Sequence, residues 1–221
     1  MKTDMTRLLI PTAGGQVRGI VADGVRTWRG IPYAAPPVGD LRLRAPRRPE
    51  PWSGILDGSS FGAAPPQSRN PSLTGSRRRA PMNEDCLTLN VSAPLEPASD
   101  RLPVLVYFYG GAFSSGSSTV KTYRGANLVR TGETVYVSLN YRIGALGFTD
   151  FTSFSTPART FESNLGLRDQ VAALEWVRDN IAAFGGDPDN VTIFGESAGG
   201  IRVTSLMCIP AARGLFHPAY A

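Results

Sequence analysis

VTIFGESAGG, residues 191–200, joins a β-branched and aromatic run to a serine flanked on both sides by glycine. Val191 to Phe194 reads as a short buried strand, and Ala198 to Met207 reads as a helix stopped by Pro210. Ser197 falls on the corner between them. A corner this sharp forces its central residue into a sparsely populated backbone conformation, and glycines two positions to either side remove Cβ atoms that would collide. The hydroxyl is left projecting. At the first turn of a helix the N–H of Ala198 has no intrahelical acceptor, so it is free to meet negative charge developing on a carbonyl oxygen. Ser197 is therefore a candidate nucleophile and Ala198 a candidate oxyanion donor. The plainer alternative is a glycine-flanked serine in an ordinary turn. It does not account for the strand before, the helix after and a second glycine loop upstream.

Outward from this corner, Pro103 to Phe108 is a continuous apolar run suited to a strand buried on both faces, ended by Gly110 and Gly111. Thr134 to Leu139 is another, after a short helix around Ala126 to Arg130, and Cys86 to Val91 alternates as a strand does. The clearest helix runs from Leu167 to about Phe184, with Leu167, Val171, Leu174, Val177 and Ile181 on one face. Gly185 and Gly186 cap it and Pro188 bars continuation. Residues 7–34, with turns at Gly14-Gly15 and Asp23-Gly24, read as a small antiparallel start, and residues 29–82 as irregular. The alternation of strand and helix indicates an α/β fold with a mostly parallel sheet. In such sheets reactive groups gather at the carboxyl ends of the strands, so the loop after Phe108 and the corner at Ser197 should share one rim. Tyr109-Gly110-Gly111-Ala112-Phe113 is small enough for its backbone N–H groups to approach a ligand, though a glycine turn that merely ends a strand has the same letters.

The 221 residues allow one substantial core, hence one domain or a large part of one. The opening MKTDMTRLLIPTAGG has no apolar signal core, and no run approaches the ~18 residues of a membrane span. A cytoplasmic address and no membrane partner are the expectations. Cys86 and Cys208 have no metal-binding spacing; one disulfide is possible, and buried free thiols are the expected state. The net charge of +5 comes almost wholly from arginine, Lys2 and Lys121 being the two lysines. Apart from the Arg77-Arg78-Arg79 triplet the arginines are scattered and not interleaved with aromatics, which disfavours nucleic acid and reads the triplet as a solvated loop.

With both loops in view, the chain resembles the N-terminal part of the type-B carboxylesterases, the family of the cholinesterases. The resemblance begins at RGIPYAAPPVGDLR (Arg29 to Arg42) and runs through Trp52, Gln67, EDCLTLNVSAP (Glu84 to Pro94), PVLVYFYGGAF (Pro103 to Phe113) and LNYRIGALGF (Leu139 to Phe148). It continues in NLGLRDQVAALEWVRDNIAAFGGDP, the GESAG corner and GLFH (Gly214 to His217). It implies an α/β-hydrolase fold of which residues 1–221 are the N-terminal portion of a single domain, and hydrolysis of carboxylic esters through an acyl-Ser197, without metal or cofactor. It implies oxyanion donors at Gly111, Ala112 and Ala198, an acidic neighbour at Glu196 that is not the triad acid, and scaffold ion pairs Arg42–Glu84 and Arg142–Asp169.

Three departures qualify that implication. Pro65 stands where secreted relatives place the partner of Cys86, which fits a reduced, intracellular protein. The loop before Glu84 carries arginines and no tryptophan, which disfavours choline esters and leaves small uncharged carboxylic esters as the expected partner. The family's triad acid and histidine lie in a C-terminal half beyond these 221 residues, so this chain alone is expected to be inactive. His217, the single histidine, matches a scaffold position, and a chain reversal bringing it to Ser197 is the weaker reading. The alternatives to an esterase are a truncated product without catalysis and a non-catalytic hydrolase-like interaction protein, although Ser197 and the glycine loop are both retained. Oligomeric state is not indicated.

Overall fold

The computed structural model describes residues 8–68 and 81–221, which leaves the Arg77–Arg79 triplet outside it. Its described strands are β1 (Leu9–Thr12), β2 (Gly15–Arg18), β3 (Ile20–Ala22), β4 (Val25–Pro32), β5 (Ile55–Asp57), β6 (Thr88–Pro94), β7 (Leu102–Phe108), β8 (Val135–Leu139), β9 (Gly186–Gly195) and β10 (Ala219–Tyr220). The α-helices are α1 (Ala126–Val129), α2 (Gly144–Phe148), α3 (Leu165–Asn180) and α4 (Ala198–Met207). β1, β2 and β5 form a small sheet of their own, so the stretch expected to be irregular supplies one short strand.

The main sheet runs in the order β10-β9-β7-β8-β6-β4-β3 and is mixed. From β8 through β6 and β4 to β3 every pairing is antiparallel, while β8, β7, β9 and β10 pair parallel. Connection chemistry explains the division. β3 and β4 turn directly at Asp23-Gly24, whereas parallel neighbours need a crossover, and α1, α3 and α4 provide it between β7 and β8, β8 and β9, and β9 and β10. Ser197 belongs to the parallel half.

Val104, Val106 and Phe108 of β7 and Val135, Val137 and Leu139 of β8 are all fully buried, each contributing about 1.5–3 kcal/mol by leaving water. α3 lays Val171, Leu174 and Val177 on this sheet, then tightens into a 3-10 turn over Ile181–Phe184 that Gly185 ends at φ 89°. β9 starts at Gly186, earlier than the Val191 expected from its apolar run. Residues 187–190 bulge out between the pairings Leu102↔Gly186 and Val104↔Val191, and Arg101 spans the bulge to Asp187 at 2.5 Å and Asp189 at 3.0 Å. No helix among the described residues is long and apolar enough to cross a membrane.

Both cysteines are free. Cys86 is buried, and burial pushes its thiol up, out of the reactive range. Cys208 is exposed, contrary to expectation, because it stands just past α4 and off the face formed by Ala198, Arg202 and Leu206.

Candidate active site

β7 and β9 end together, with Phe108 opposite Gly195, so the loop after β7 and the corner after β9 open on the same rim. At the corner Ser197 has φ 57° and ψ −125°, a conformation that costs a residue with a side chain about 1–3 kcal/mol. Close packing holds it there. A Cβ on Gly199 would overlap the Phe108 carbonyl, and one on Gly195 would overlap the backbone of Gly199. Glycine at both positions lets the helix start sit directly on the end of β7. Gly199→Ala is therefore expected to destabilise the fold by about 2–3 kcal/mol, read from urea unfolding, since backbone rather than a movable side chain is in the way.

The Ser197 hydroxyl is exposed and takes no part in capping α4. Across the gap Gly110 backs onto the corner: a Cβ there would lie 2.6 Å from the Glu196 carbonyl oxygen and 3.0 Å from Ser197 Cβ. After Gly110 the chain makes a tight turn in which the Gly111 carbonyl accepts from the Ser114 and Ser115 N–H groups, at 3.1 and 3.0 Å, and from Ser115 Oγ at 3.0 Å. That turn draws the carbonyl inward. The N–H groups of Gly111, Ala112 and Ala198 find no acceptor among the described residues. Ala112 and Phe113 have φ of 52° and 62°, so three of the six described non-glycine residues with positive φ lie in these two loops. Strain concentrated in this way needs a rigid surround.

The surround is polar on one side and aromatic on the other. The Gln67 side chain pairs with the Gly116 backbone in both directions, donating to its carbonyl at 2.8 Å and accepting from its N–H at 2.9 Å. Gly144 N–H donates to the Phe113 carbonyl at 2.7 Å. Tyr109 and Tyr141 stack with centroids 4.4 Å apart, and the Tyr141 hydroxyl donates to the Tyr109 carbonyl at 2.5 Å. Glu196 is exposed, and its negative charge adds to burial, the larger cause, in pushing up the phenols of Tyr107 and Tyr123.

The two expected ion pairs differ in kind. Arg142 and Asp169 are buried and joined at 2.6 and 2.9 Å, and Asp169 also accepts the Arg142 backbone N–H at 3.0 Å. Arg42 and Glu84 meet bidentately at 2.5 and 2.7 Å on the surface. Neither pair touches the rim.

His217 is held elsewhere. Its backbone N–H donates to the Val191 carbonyl at 2.8 Å and its ring Nδ1 accepts the Val191 backbone N–H at 3.2 Å. At about 3.3 Å per residue Val191 lies about 13 Å back along β9 from Gly195, on the side away from Ser197. The site therefore brings together Ser197, Glu196, Gly111, Ala112 and Ala198, and not His217.

Arg202 was not among the expected site residues. It is 1% exposed, on α4 one turn beyond Ala198, with its Cζ 3.9 Å from the ring centroid of Phe148, 4.4 Å from Phe113 and 4.9 Å from Tyr141. Its spacing of four from Ala198 and from Leu206 put an arginine on the buried, otherwise apolar face of the helix, a signal present in the sequence.

A serine raised on a strand-to-helix corner, at the carboxyl end of a parallel strand and facing a glycine loop with free N–H groups, defines an α/β-hydrolase. The chain belongs to the carboxylesterase family, whose sequence model, described as Carboxylesterase family, matches residues 6–220. It is 47% identical over 215 residues to the para-nitrobenzyl esterase of Bacillus subtilis, covering 97% of this chain and 43% of that one. It is 42% identical to the phenmedipham hydrolase of Pseudarthrobacter oxydans, covering 97% and 42%. Among solved structures, a thermophilic PNB esterase superposes with TM-score 0.90 at 48% identity, covering 96% of this chain and 43% of that structure. The chain thus spans less than half the length of the relatives it matches.

Proposed function

We propose that the protein hydrolyses uncharged carboxylic esters through an acyl enzyme on Ser197. A base removes the Ser197 Oγ proton as Oγ attacks the ester carbonyl carbon. The oxygen that becomes negative is met by the N–H groups of Gly111, Ala112 and Ala198. Collapse of the tetrahedral intermediate breaks the bond to the alcohol, which leaves with the proton, and water then repeats the sequence to release the acid. The observation that supports this reading is the exposed Ser197 hydroxyl on a strained corner beside donors that no other described residue occupies. Membership in an esterase family supports it independently.

The base and its orienting acid are assigned to residues outside 1–221, because the sole histidine is bonded to Val191 on the far side of β9. Residues 1–221 alone are accordingly expected to turn over para-nitrophenyl acetate no faster than their own Ser197→Ala variant. The test of the full reading is rapid-mixing kinetics on the full-length protein. A burst of one para-nitrophenol per protein before a slower steady state, absent from Ser197→Ala, is expected. A burst that persists without the Ser197 hydroxyl removes Ser197 from the reaction.

A further inference from the structure

Arg202 is a cation enclosed by rings and not paired with a carboxylate among the described residues. Its Nε and Nη1 have no hydrogen-bond partner among the described residues, and the charge faces the rings of Phe148, Phe113 and Tyr141. Burying a guanidinium without a counter-ion is costly, and filling the same space for packing would need only an apolar side chain. The position of its contacts indicates what the charge is used for. Phe113, whose ring faces the guanidinium at 4.4 Å, closes the strained turn that carries Ala112. Tyr141, whose ring centroid lies 4.9 Å from the guanidinium carbon, donates in turn to the carbonyl of Tyr109, immediately before Gly110. Phe148, at 3.9 Å, also meets Phe113 edge-on with centroids 5.5 Å apart. One side chain on the elbow helix thus reaches both ends of the segment 109–113.

We propose that Arg202 is a positioning residue for the oxyanion loop: its buried guanidinium clamps Phe113 directly and Tyr109 through Tyr141, fixing the Gly111 and Ala112 N–H groups relative to the helix that carries Ser197. The inference rests on the esterase reading for its catalytic consequence and on the packing alone for its structural one. Cation–π contacts strengthen when desolvated, and at 1% exposure this one is removed from water. Ala112 and Phe113, both at positive φ, would relax if the clamp were removed, and donors that drift from the oxyanion lose transition-state stabilisation without changing how the ester is first bound.

Two measurements test it separately. Amide hydrogen exchange needs no turnover: in Arg202→Met, peptides covering residues 109–116 should exchange at least about tenfold faster than in the parent, with β7 and β9 unchanged. In the full-length protein, kcat per site titrated by the burst should fall about tenfold or more with KM within about twofold, and Arg202→Lys, which keeps the charge but not the flat face, should fall between. A clamp with only a structural role would lower the number of titratable sites and leave kcat per site intact. Should Arg202→Met fail to fold, Phe113→Leu removes the contact from the loop side and is expected to give the same faster exchange and the same kcat loss. Unchanged exchange of residues 109–116, or unchanged kcat per site, in whichever variant folds overturns the proposal. If the parent shows neither a burst nor turnover of para-nitrophenyl acetate the esterase reading fails, and the exchange result still decides the clamp.

Discussion

Ser197→Ala in the full-length protein is expected to lower kcat for para-nitrophenyl esters by about 10⁶, the scale on which a triad serine is missed. The loss is this large because, in the proposed reaction, Oγ is the atom that forms the new bond; the exposed Ser114 lies in the turn after Gly111 and not on a strand-to-helix corner. Ser115, Ser117 and Ser118 are buried, and Ser115 Oγ is committed to the Gly111 carbonyl at 3.0 Å. KM should change little, since the surfaces that hold the ester are untouched. Stability should stay within about 0.5 kcal/mol, because the hydroxyl is exposed and caps nothing. Ser197→Gly adds a second reading of the same site. It is equally inactive but relieves the φ of 57°, and is expected to be more stable than the parent by up to about 1 kcal/mol. Steady-state rates and urea melts on the three proteins check both statements.

Asp169→Ala is expected to cost about 3–5 kcal/mol of folding stability, the second largest effect anticipated here. Asp169 is 0% exposed and accepts three hydrogen bonds from Arg142, which is itself buried and otherwise spends one Nη on the Arg44 carbonyl at 2.7 Å. Removing the carboxylate leaves Nε, the other Nη and the backbone N–H of Arg142 in the interior without an acceptor, and the guanidinium without a counter-charge. Against a typical domain stability of about 5–15 kcal/mol, that is enough to populate the unfolded state at moderate temperature. Glu84→Ala breaks a pair with similar distances but on the surface, so its effect should be far smaller and should shrink further with added salt. Equal losses from the two substitutions would show that burial is not what sets the cost.

The corner was legible because two local rules coincide there. A β-branched run gives the strand, and glycines at 195 and 199 mark a backbone approach that the structure shows as packing against Phe108. The shared rim followed from the carboxyl-end rule for parallel strands, and β7, β8 and α3 from their apolar runs and periodicity. Non-local pairing was harder to read. That β6 lies antiparallel between β4 and β8 depends on partners far apart in sequence, so the mixed character of the sheet was not written in any one segment. The early start of β9 was hidden by Asp187 and Pro188, whose bulge is stabilised by Arg101, the residue just before β7. The positive φ of Ala112 and Phe113 had no residue-type signal at all, since neither is glycine. Arg202 was the converse case: periodicity placed it on the buried face, but only the rings around it reveal a use for the charge.

The central claim is that Ser197 is the nucleophile, and the most direct test is to find the atom that becomes covalently modified. The full-length protein treated with a fluorophosphonate probe, digested and analysed by mass spectrometry should carry one adduct, on Ser197, and Ser197→Ala should carry none. An adduct on any other residue, or labelling of Ser197→Ala at the parent's rate, would contradict the assignment of this corner as the reactive centre.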